Sequence, residues 1–488
     1  MTEPAGSLAR RTKVALFWSL VQTWGGRVSS SLLLVVLARI LDPHDFGIAS
    51  SVFLVLTVIH LFSEVGLGPA IVQRPGLEAA DVNLPFYAVL FVSLSFMTGL
   101  IVLSGPLARA VGQPELAPYL AASAAIAPLM TTGAIQEAFY RREMRFRPLA
   151  ARTVVSTLLG GLVGVGLALN GAGAWSLIAQ FGTTSLIATA WNWLRPVWLP
   201  GLELRLRPAL AMGRFGAVTA ADFVSDVVVT KTVELLLLTK FGVATLGLYT
   251  LANRLCLTIL QFMQASLATV GLTALSRISQ DGDKMRALFV RSTSLSAMAI
   301  APMFWALAAF APEITTTIFG AKWGGVERYA TPLLLLGGAQ SVQYLAAPYL
   351  SATGHPHLLL RTGLLRAALV LPSAWLAAES GDALRVVLVF SAVTALAAPL
   401  VVGLGARILG VSARVLLTEV GLPLVAAAIT FGGVEAWRAT RHGGGAAGLG
   451  EAALVAVASG LGYAVLLLIL ARPAVLANIR FASRMARS

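Results

Sequence analysis

Fourteen apolar stretches, at about 14–38, 46–66, 84–104, 116–136, 151–170, 173–194, 209–238, 243–272, 288–311, 329–350, 358–378, 384–404, 415–437 and 451–471, dominate the chain. A crossing of the hydrocarbon core takes about 20 apolar residues as a helix. Inside lipid a backbone must satisfy its own hydrogen bonds, so each stretch is expected to be an α-helix. The expectation is an all-α polytopic integral membrane protein of about 14 transmembrane helices. Composition agrees, because only 12% of the residues are charged, against about 25% in soluble domains. The connections are short and leave no room for a domain outside the membrane.

Charge placement excludes other classes. The net charge of +14 comes from short basic clusters between apolar runs, and a nucleic-acid binder would gather it on one patch or helix face. The single cysteine, Cys256, rules out an internal disulfide and a multi-cysteine metal site. No His-Glu-x-x-His occurs and no lysine follows a glycine, so neither that zinc motif nor a Walker loop is present. No cofactor or metal is expected, and energy for transport would come from an ion gradient, a partner or the substrate's own gradient. His355-Pro356-His357 offers two imidazoles and lacks the third ligand a metal needs.

Basic residues also orient the chain. Of the 36 lysines and arginines, 25 fall in one alternate set of loops together with both tails, 8 in the other set, and Arg27, Lys231 and Arg254 lie inside spans. Basic loops stay cytoplasmic, so both termini are expected in the cytoplasm. Arg10-Arg11-x-Lys13 resembles the start of a signal peptide, yet the apolar run continues to Leu37 without a small-x-small cleavage site. The first span is read as retained.

Small residues and prolines forecast the packing. Gly160, Gly161, Gly164 and Gly166 place a small-residue face on the fifth span, suited to a close neighbour. Pro69, Pro85, Pro118, Pro128, Pro302, Pro332, Pro348 and Pro372 each remove a donor in or beside a span and are expected to kink it.

Ionisable residues within spans carry the functional expectation, because a charge at mid-bilayer costs about 2.5–3.5 kcal/mol on the insertion scale and faces a cavity or a partner. The seventh span carries Asp222, Asp226, Lys231 and Glu234, and the eighth carries Asn253, Arg254 and Gln261. The first adds Gln22, Trp24 and Arg27. Asp222 and Asp226 share a helix face, and so do Lys231 and Glu234, which can neutralise each other. That pair is either a structural bridge or part of a site. Arg254 has no acid within four positions, so it calls for a partner on another helix or an anionic substrate. Glu64 lies near the end of the second span, within reach of the interface.

Several stretches carry a family resemblance. Leu37-Ala38-Arg39-Ile40-Leu41-Asp42-Pro43-His44-Asp45-Phe46-Gly47 leads into Glu64-Val65-Gly66-Leu67-Gly68 and Ile71-Val72-Gln73-Arg74. Gln136-Glu137-Ala138, Arg141-Arg142-Glu143-Met144-Arg145-Phe146 and Gly171-Ala172-Gly173-Ala174-Trp175-Ser176 follow, then Lys231-x-x-Glu234, Gly247-Leu248-Tyr249 and Phe319-Gly320-Ala321-Lys322-Trp323. In order and spacing, over about residues 13–370, the chain resembles the Wzx-type polysaccharide flippases, in particular their colanic-acid-like branch, of the multidrug/oligosaccharidyl-lipid/polysaccharide exporter superfamily. It departs from that pattern at Arg27, where relatives carry an uncharged polar residue, and at Thr232 and Leu235, where they carry asparagines.

The resemblance implies two six-helix lobes around a central cavity, residues 1–200 and 201–406, with an additional helix pair and basic tail over 407–488. Phe46-Gly47 and Leu246-Gly247, 200 residues apart, agree with such a repeat. It implies a bacterial plasma (inner) membrane location and no enzymatic step. The substrate would be an oligosaccharide on undecaprenyl diphosphate, such as an O-antigen, capsule or exopolysaccharide unit, moved by alternating access. Membrane lipid, a polysaccharide polymerase and assembly proteins are the implied partners. Arg27, Lys231 and Arg254 are the cations available for a diphosphate, with Gln22, Trp24, Asn253, Gln261 and Gln264 as neighbours for sugar. The alternative is an ion-coupled multidrug or metabolite antiporter on the same fold, with Asp222, Asp226 or Glu234 binding the ion. A membrane glycosyltransferase is disfavoured, because the loops are short and lack paired carboxylates.

Overall fold

The computed structural model describes residues 5–74, 76–278, 282–344, 346–440 and 449–485, with only the backbone given at 5–13, 60–66, 214–223, 264–278, 481–485 and a few single positions. The elements are helices. The first unit, Met1–Gly247, holds α1 (Ala5–Ile40), α2 (Pro43–Gly66), α3 (Gly68–Gln73), α4 (Asn83–Ala110), α5 (Ala117–Ser123), α6 (Ile126–Arg142), α7 (Phe146–Leu169), α8 (Trp175–Leu194) and α9 (Leu206–Phe241). It ends within the first turns of α10 (Val243–Ile278).

The second unit, Leu248–Ser488, continues with α11 (Gly282–Leu295), α12 (Ala301–Ala309), α13 (Ala311–Phe319), α14 (Val326–Tyr344) and α15 (Ala346–Ala352). It closes with α16 (Pro356–Ala378), α17 (Ala383–Ile408), α18 (Ala413–Leu416), α19 (Leu422–Ala439), α20 (Leu449–Leu470) and α21 (Arg472–Met485).

Each of the fourteen expected spans falls on a helix, but ten helical stretches among the described residues have the length and apolarity to cross a membrane. The count of fourteen is therefore not established. The four outside it coincide with α2, α8, α9 and α14. The described part of α2 that counts as apolar ends at Ile59, and α9 carries Asp226, Lys231, Glu234 and Lys240 along its length.

Glycines set the packing in the first unit. On α7, a Cβ at Gly160 or Gly164 would press into Gln180, Thr184 or Ser176 of α8, and one at Gly161 would meet Leu33 of α1 at 2.4 Å. Helix α7 is thus wedged between α1 and α8, as its small-residue face led one to expect, although Gly166 faces open space. Without a hydrophobic driving force between helices in lipid, this closeness supplies the dispersion contacts that hold them.

At one end of the unit, the first turns of α2 and α10 interlock. A Cβ on Gly47 would lie 1.9 Å from the Val243 carbonyl oxygen, and one on Gly247 would lie 1.8 Å from the Pro43 carbonyl oxygen. The two contacts are the same contact shifted by 200 residues, reciprocal in the manner of a two-fold interface. Asp42-Pro43-His44-Asp45 is helix-start chemistry: Pro43 opens α2 and the Asp45 carboxylate accepts from the Asp42 backbone N–H at 3.3 Å. His44 Nε2 reaches Glu115 at 3.0 Å, and Gly173, at φ +55, leaves room for the Asp45 carboxylate.

The prolines correct an expectation. Pro69 and Pro118 stand in the first turns of α3 and α5, and Pro128 in that of α6. There the missing N–H has no intrahelical acceptor to lose, so these residues restart helices instead of kinking them. Pro332 and Pro372 do lie inside α14 and α16, and Pro302 lies inside the continuous helical stretch Gly282–Ala309. Ahead of Pro302, residues Ser296–Ile300 form a π-helical turn, and the Tyr463 hydroxyl of α20 donates to the Met298 carbonyl within it at 2.8 Å. A second π-turn, Leu417–Gly421, carries Glu419, which accepts from Arg291 at 2.7 Å and from Ser294. Asn478 of α21 donates to the same Ser294 hydroxyl at 2.8 Å.

Candidate functional site

Helix α9 has a packed side and an open side. Val229, Val233, Leu236 and Leu237 are buried, whereas Val228 and Leu235 are exposed, with Lys231 between them in register. Lys231 Nζ donates to both carboxylate oxygens of Glu234, at 2.9 and 2.8 Å. The side chain of Lys231 is 31% exposed and that of Glu234 only 6%. The ammonium therefore sits toward the open face with its counter-charge buried behind it. A carboxylate so placed needs a partner, because removing one member of a buried pair strands the other charge.

Asp226 is half-buried on the same helix, and its carbonyl accepts from the Thr230 hydroxyl at 2.9 Å. The side chains of Asp222, Glu64 and Gln264 lie outside the described residues. On α1, Gln22, Trp24 and Arg27 are all half-buried. Gly25 and Gly26 lie against Val154 and Thr153 of α7, fixing which face of α1 is packed beside Arg27.

In the second unit, the part of α10 from Leu248 onward divides in the same way. Tyr249, Ala252, Cys256 and Leu260 are buried, and the Cys256 thiol donates to the Leu333 carbonyl of α14 at 3.0 Å. Arg254, Leu257 and Gln261 form the exposed stripe on the other side, with Asn253 half-buried. Helical register thus puts Arg254 and Gln261 on one face, two turns apart. An open stripe of arginine and glutamine suits an anionic, hydroxyl-rich ligand, since arginine offers a planar fork of donors to phosphate oxygens.

A second polar network escaped the sequence reading. Gln136 is buried, donates from Nε2 to the Trp198 carbonyl at 2.6 Å and accepts from the Val197 N–H at 3.3 Å. Tyr140, one turn on, donates to the Arg195 carbonyl at 2.6 Å, and the Trp198 indole donates to the Ala79 carbonyl at 2.9 Å. Asn83 brackets the same loop, donating to the Glu203 carbonyl and accepting from the Gly201 N–H, each at 3.0 Å. Arg142 donates to the Ile71 and Arg74 carbonyls at the end of α3. Glu137 is held by Arg152 at 2.8 Å and Arg141 at 2.6 Å.

Arg205 completes the network with contacts to Glu203, Glu78 and Asp81, which raise its pKa above the ordinary arginine value. The segment joining α8 to α9 is in this way fixed to α4, to α6 and to residues 78–81 ahead of α4. The only signal in the sequence was the spacing of Gln136 and Tyr140, one turn apart on one helix face.

The polysaccharide biosynthesis protein family matches residues 36–327, more than half of the chain. The chain belongs to this family. The match takes in the glycine interlock, the fixed segment, the Lys231–Glu234 pair and the Arg254 stripe, so the resemblance drawn from the motifs holds. Among curated relatives, the succinoglycan biosynthesis transport protein ExoT of Rhizobium meliloti is 27% identical over 354 residues, covering 72% of this chain and 71% of that protein. The lipopolysaccharide biosynthesis protein WzxC of Escherichia coli is 22% identical over 386 residues, covering 79% and 78%.

Solved structures show the same fold. The lipid II flippase MurJ in an inward closed conformation matches with a TM-score of 0.72 at 11% identity, over 94% of this chain and all of that one. A multidrug resistance MATE family transporter in an inward-facing conformation matches with a TM-score of 0.60 at 16% identity, over 79% of this chain and 94% of that one. The chain is thus an all-α member of the polysaccharide biosynthesis protein family with the fold of these structures.

Proposed function

We propose that this protein carries an oligosaccharide linked to undecaprenyl diphosphate across the bacterial plasma membrane, from inner to outer leaflet, by alternating access. In this reading residues 1–200 and 201–406 act as two lobes around a cavity, 407–488 add a helix pair and basic tail, and both termini lie in the cytoplasm. No bond is made or broken. Membrane lipid holds the polyprenyl tail, and a polymerase and assembly proteins receive the product. The physical task is to bring a diphosphate and a hydrated sugar through about 30 Å of hydrocarbon, where an unpaired charge is costly.

The observation that carries the reading is the cationic character of the open faces: Lys231 stands in front of its buried counter-ion, and Arg254 shares an exposed stripe with Gln261. Arg254 is the principal contact to the diphosphate and Arg27 its helper. Sugar hydroxyls meet Gln22, Trp24, Asn253 and Gln261. The names of ExoT, a transport protein of polysaccharide biosynthesis, and of MurJ, a lipid flippase on this fold, support the reading.

The test is glycan delivery to the outer leaflet per molecule of protein in a deletion strain. Arg254→Ala should retain little delivery and Arg254→Lys part of it, with both proteins at normal abundance. Near-normal delivery per molecule by Arg254→Ala would remove Arg254 from the site. A deletion that changes drug tolerance and leaves glycan delivery intact would favour the antiporter instead. Reporter fusions at Gly444 and Ser488 should fall on opposite sides of the membrane, with Ser488 inside.

A further inference from the structure

We infer that Glu234 is a proton acceptor coupled to substrate: when a phosphate oxygen takes the Lys231 ammonium, the stranded carboxylate binds one proton from water. The inference rests on the proposed diphosphate reading of Lys231 and adds what happens behind it. Both oxygens of Glu234 are satisfied by one ammonium, at 2.9 and 2.8 Å, and among the described residues Lys231 is its ion-pair partner. The lysine side chain is five times as exposed as the glutamate, 31% against 6%. An anion arriving at the open face therefore meets the cation first. It pulls the ammonium toward itself and cannot reach the carboxylate.

Two outcomes exist for a carboxylate left at that depth. It stays ionised and unpaired in a low-dielectric site, or it takes a proton and becomes neutral, the response of a buried acid that loses its counter-charge. The second is the cheaper. The proton comes from water on the side to which the site is open, and the lysine keeps its own. When the diphosphate departs, the ammonium returns and the proton is released. The proton would thus offset one of the two negative charges that a diphosphate diester brings, so that the site's net charge changes by one unit instead of two as the substrate enters.

Other charged groups are placed to modulate the exchange and not to replace it. On α9 itself Asp226 precedes Lys231 by five residues and Lys240 follows Glu234 by six. On the elements packed against α9, α2 carries His44, bonded to Glu115, and Asp45 in its first turn, and α4 carries Arg109 in its last. The 3-10 turn at Ala79–Val82 carries Asp81, taken by Arg205, and Arg74, after α3, donates to the Pro208 carbonyl. The side chains of His60 and Glu64 on α2 and of Arg214 and Asp222 on α9 lie outside the described residues.

The experiment titrates the full-length protein in detergent with inorganic pyrophosphate, by calorimetry in buffers of different ionisation enthalpy, which counts protons taken up on binding. The wild type should take up about one proton more than Glu234→Gln, and its affinity should rise up to about tenfold more per unit fall in pH. Lys231→Met should bind pyrophosphate more weakly than either. In the wild type alone, infrared difference spectra should gain the band of a protonated carboxylic acid on pyrophosphate addition, a readout that survives if the Gln variant does not accumulate. Binding with no new acid band, or with equal proton counts in wild type and Glu234→Gln, overturns the inference and leaves the transport reading standing. No pyrophosphate binding, or binding indifferent to Lys231→Met, removes Lys231 from the diphosphate site and overturns both.

Discussion

The two ends of the first unit are held by opposite means. At one end α2 and α10 meet backbone to backbone, with Gly47 and Gly247 each lodged against a carbonyl oxygen of the other helix. At the other end the segment after α8 is held by side chains, Gln136, Tyr140, Asn83, Trp198 and Arg205, each bonded to a main-chain group or an acid. A contact made without side chains has no slack, because any added atom must displace a backbone. A contact distributed over many hydrogen bonds gives way one bond at a time.

The strongest way to break this comparison is at the glycines. Gly47→Ala and Gly247→Ala should each destabilise the protein by about 3 kcal/mol, the upper end for overpacking, read as thermal unfolding in detergent. Because both changes open the same junction, the double variant should cost well under the sum of the singles. Additive effects would mean that the two contacts are independent and the reciprocity incidental. At the other end, Gln136→Ala should cost about 1–3 kcal/mol, since it strands a buried N–H and carbonyl without adding bulk, and the remaining bonds should keep the segment in place. Cleavage of the 195–205 segment by protease, measured against wild type, would reveal whether that holds.

The smallest effect is expected at Arg205→Gln. Arg205 is half-buried and acts through ion pairs, two of them to the exposed acids Glu78 and Glu203, so its contribution should fall with added salt. Its raised pKa fixes the sign of any pH effect: the contribution is complete at every pH below the ordinary arginine value and fades only as pH rises through the raised one. Stability differences between wild type and Arg205→Gln should therefore respond to salt and not to the arginine's titration between pH 6 and 9. A pH-dependent difference in that range would locate the effect in its acidic partners.

Much of this was legible in residues whose neighbours are a few positions away. The apolar runs placed the helices, Gly160, Gly161 and Gly164 announced a crowded face, and Lys231 with Glu234 announced a pair, because each depends on helical spacing alone. What failed to be legible depends on phase or distance. Whether Pro118 kinks a helix or begins one turns on where the previous helix stops, and the π-turn before Pro302 has no sequence signature. Gln136 was quoted as part of a motif, but its partners lie 61 and 62 residues away in a segment with no periodicity. The functional residues occupy an intermediate position. Their helices and faces could be read, whereas the unequal depth of Lys231 and Glu234 needed the packing of α9.

The π-turn at Ser296–Ile300 bears on how such a chain could be shortened. Pro302, four residues after Met298 and just past the π-turn, has no N–H to give the Met298 carbonyl, and inside lipid no water comes to collect it. Here Tyr463, near the far end of the sequence, fills that vacancy at Met298, and Asn478 anchors the helix after it to Ser294. Helices α20 and α21 therefore plug a socket in the helix they cover. A version ending after α17 would keep every helix of the two proposed lobes and still carry an open polar wound at Met298.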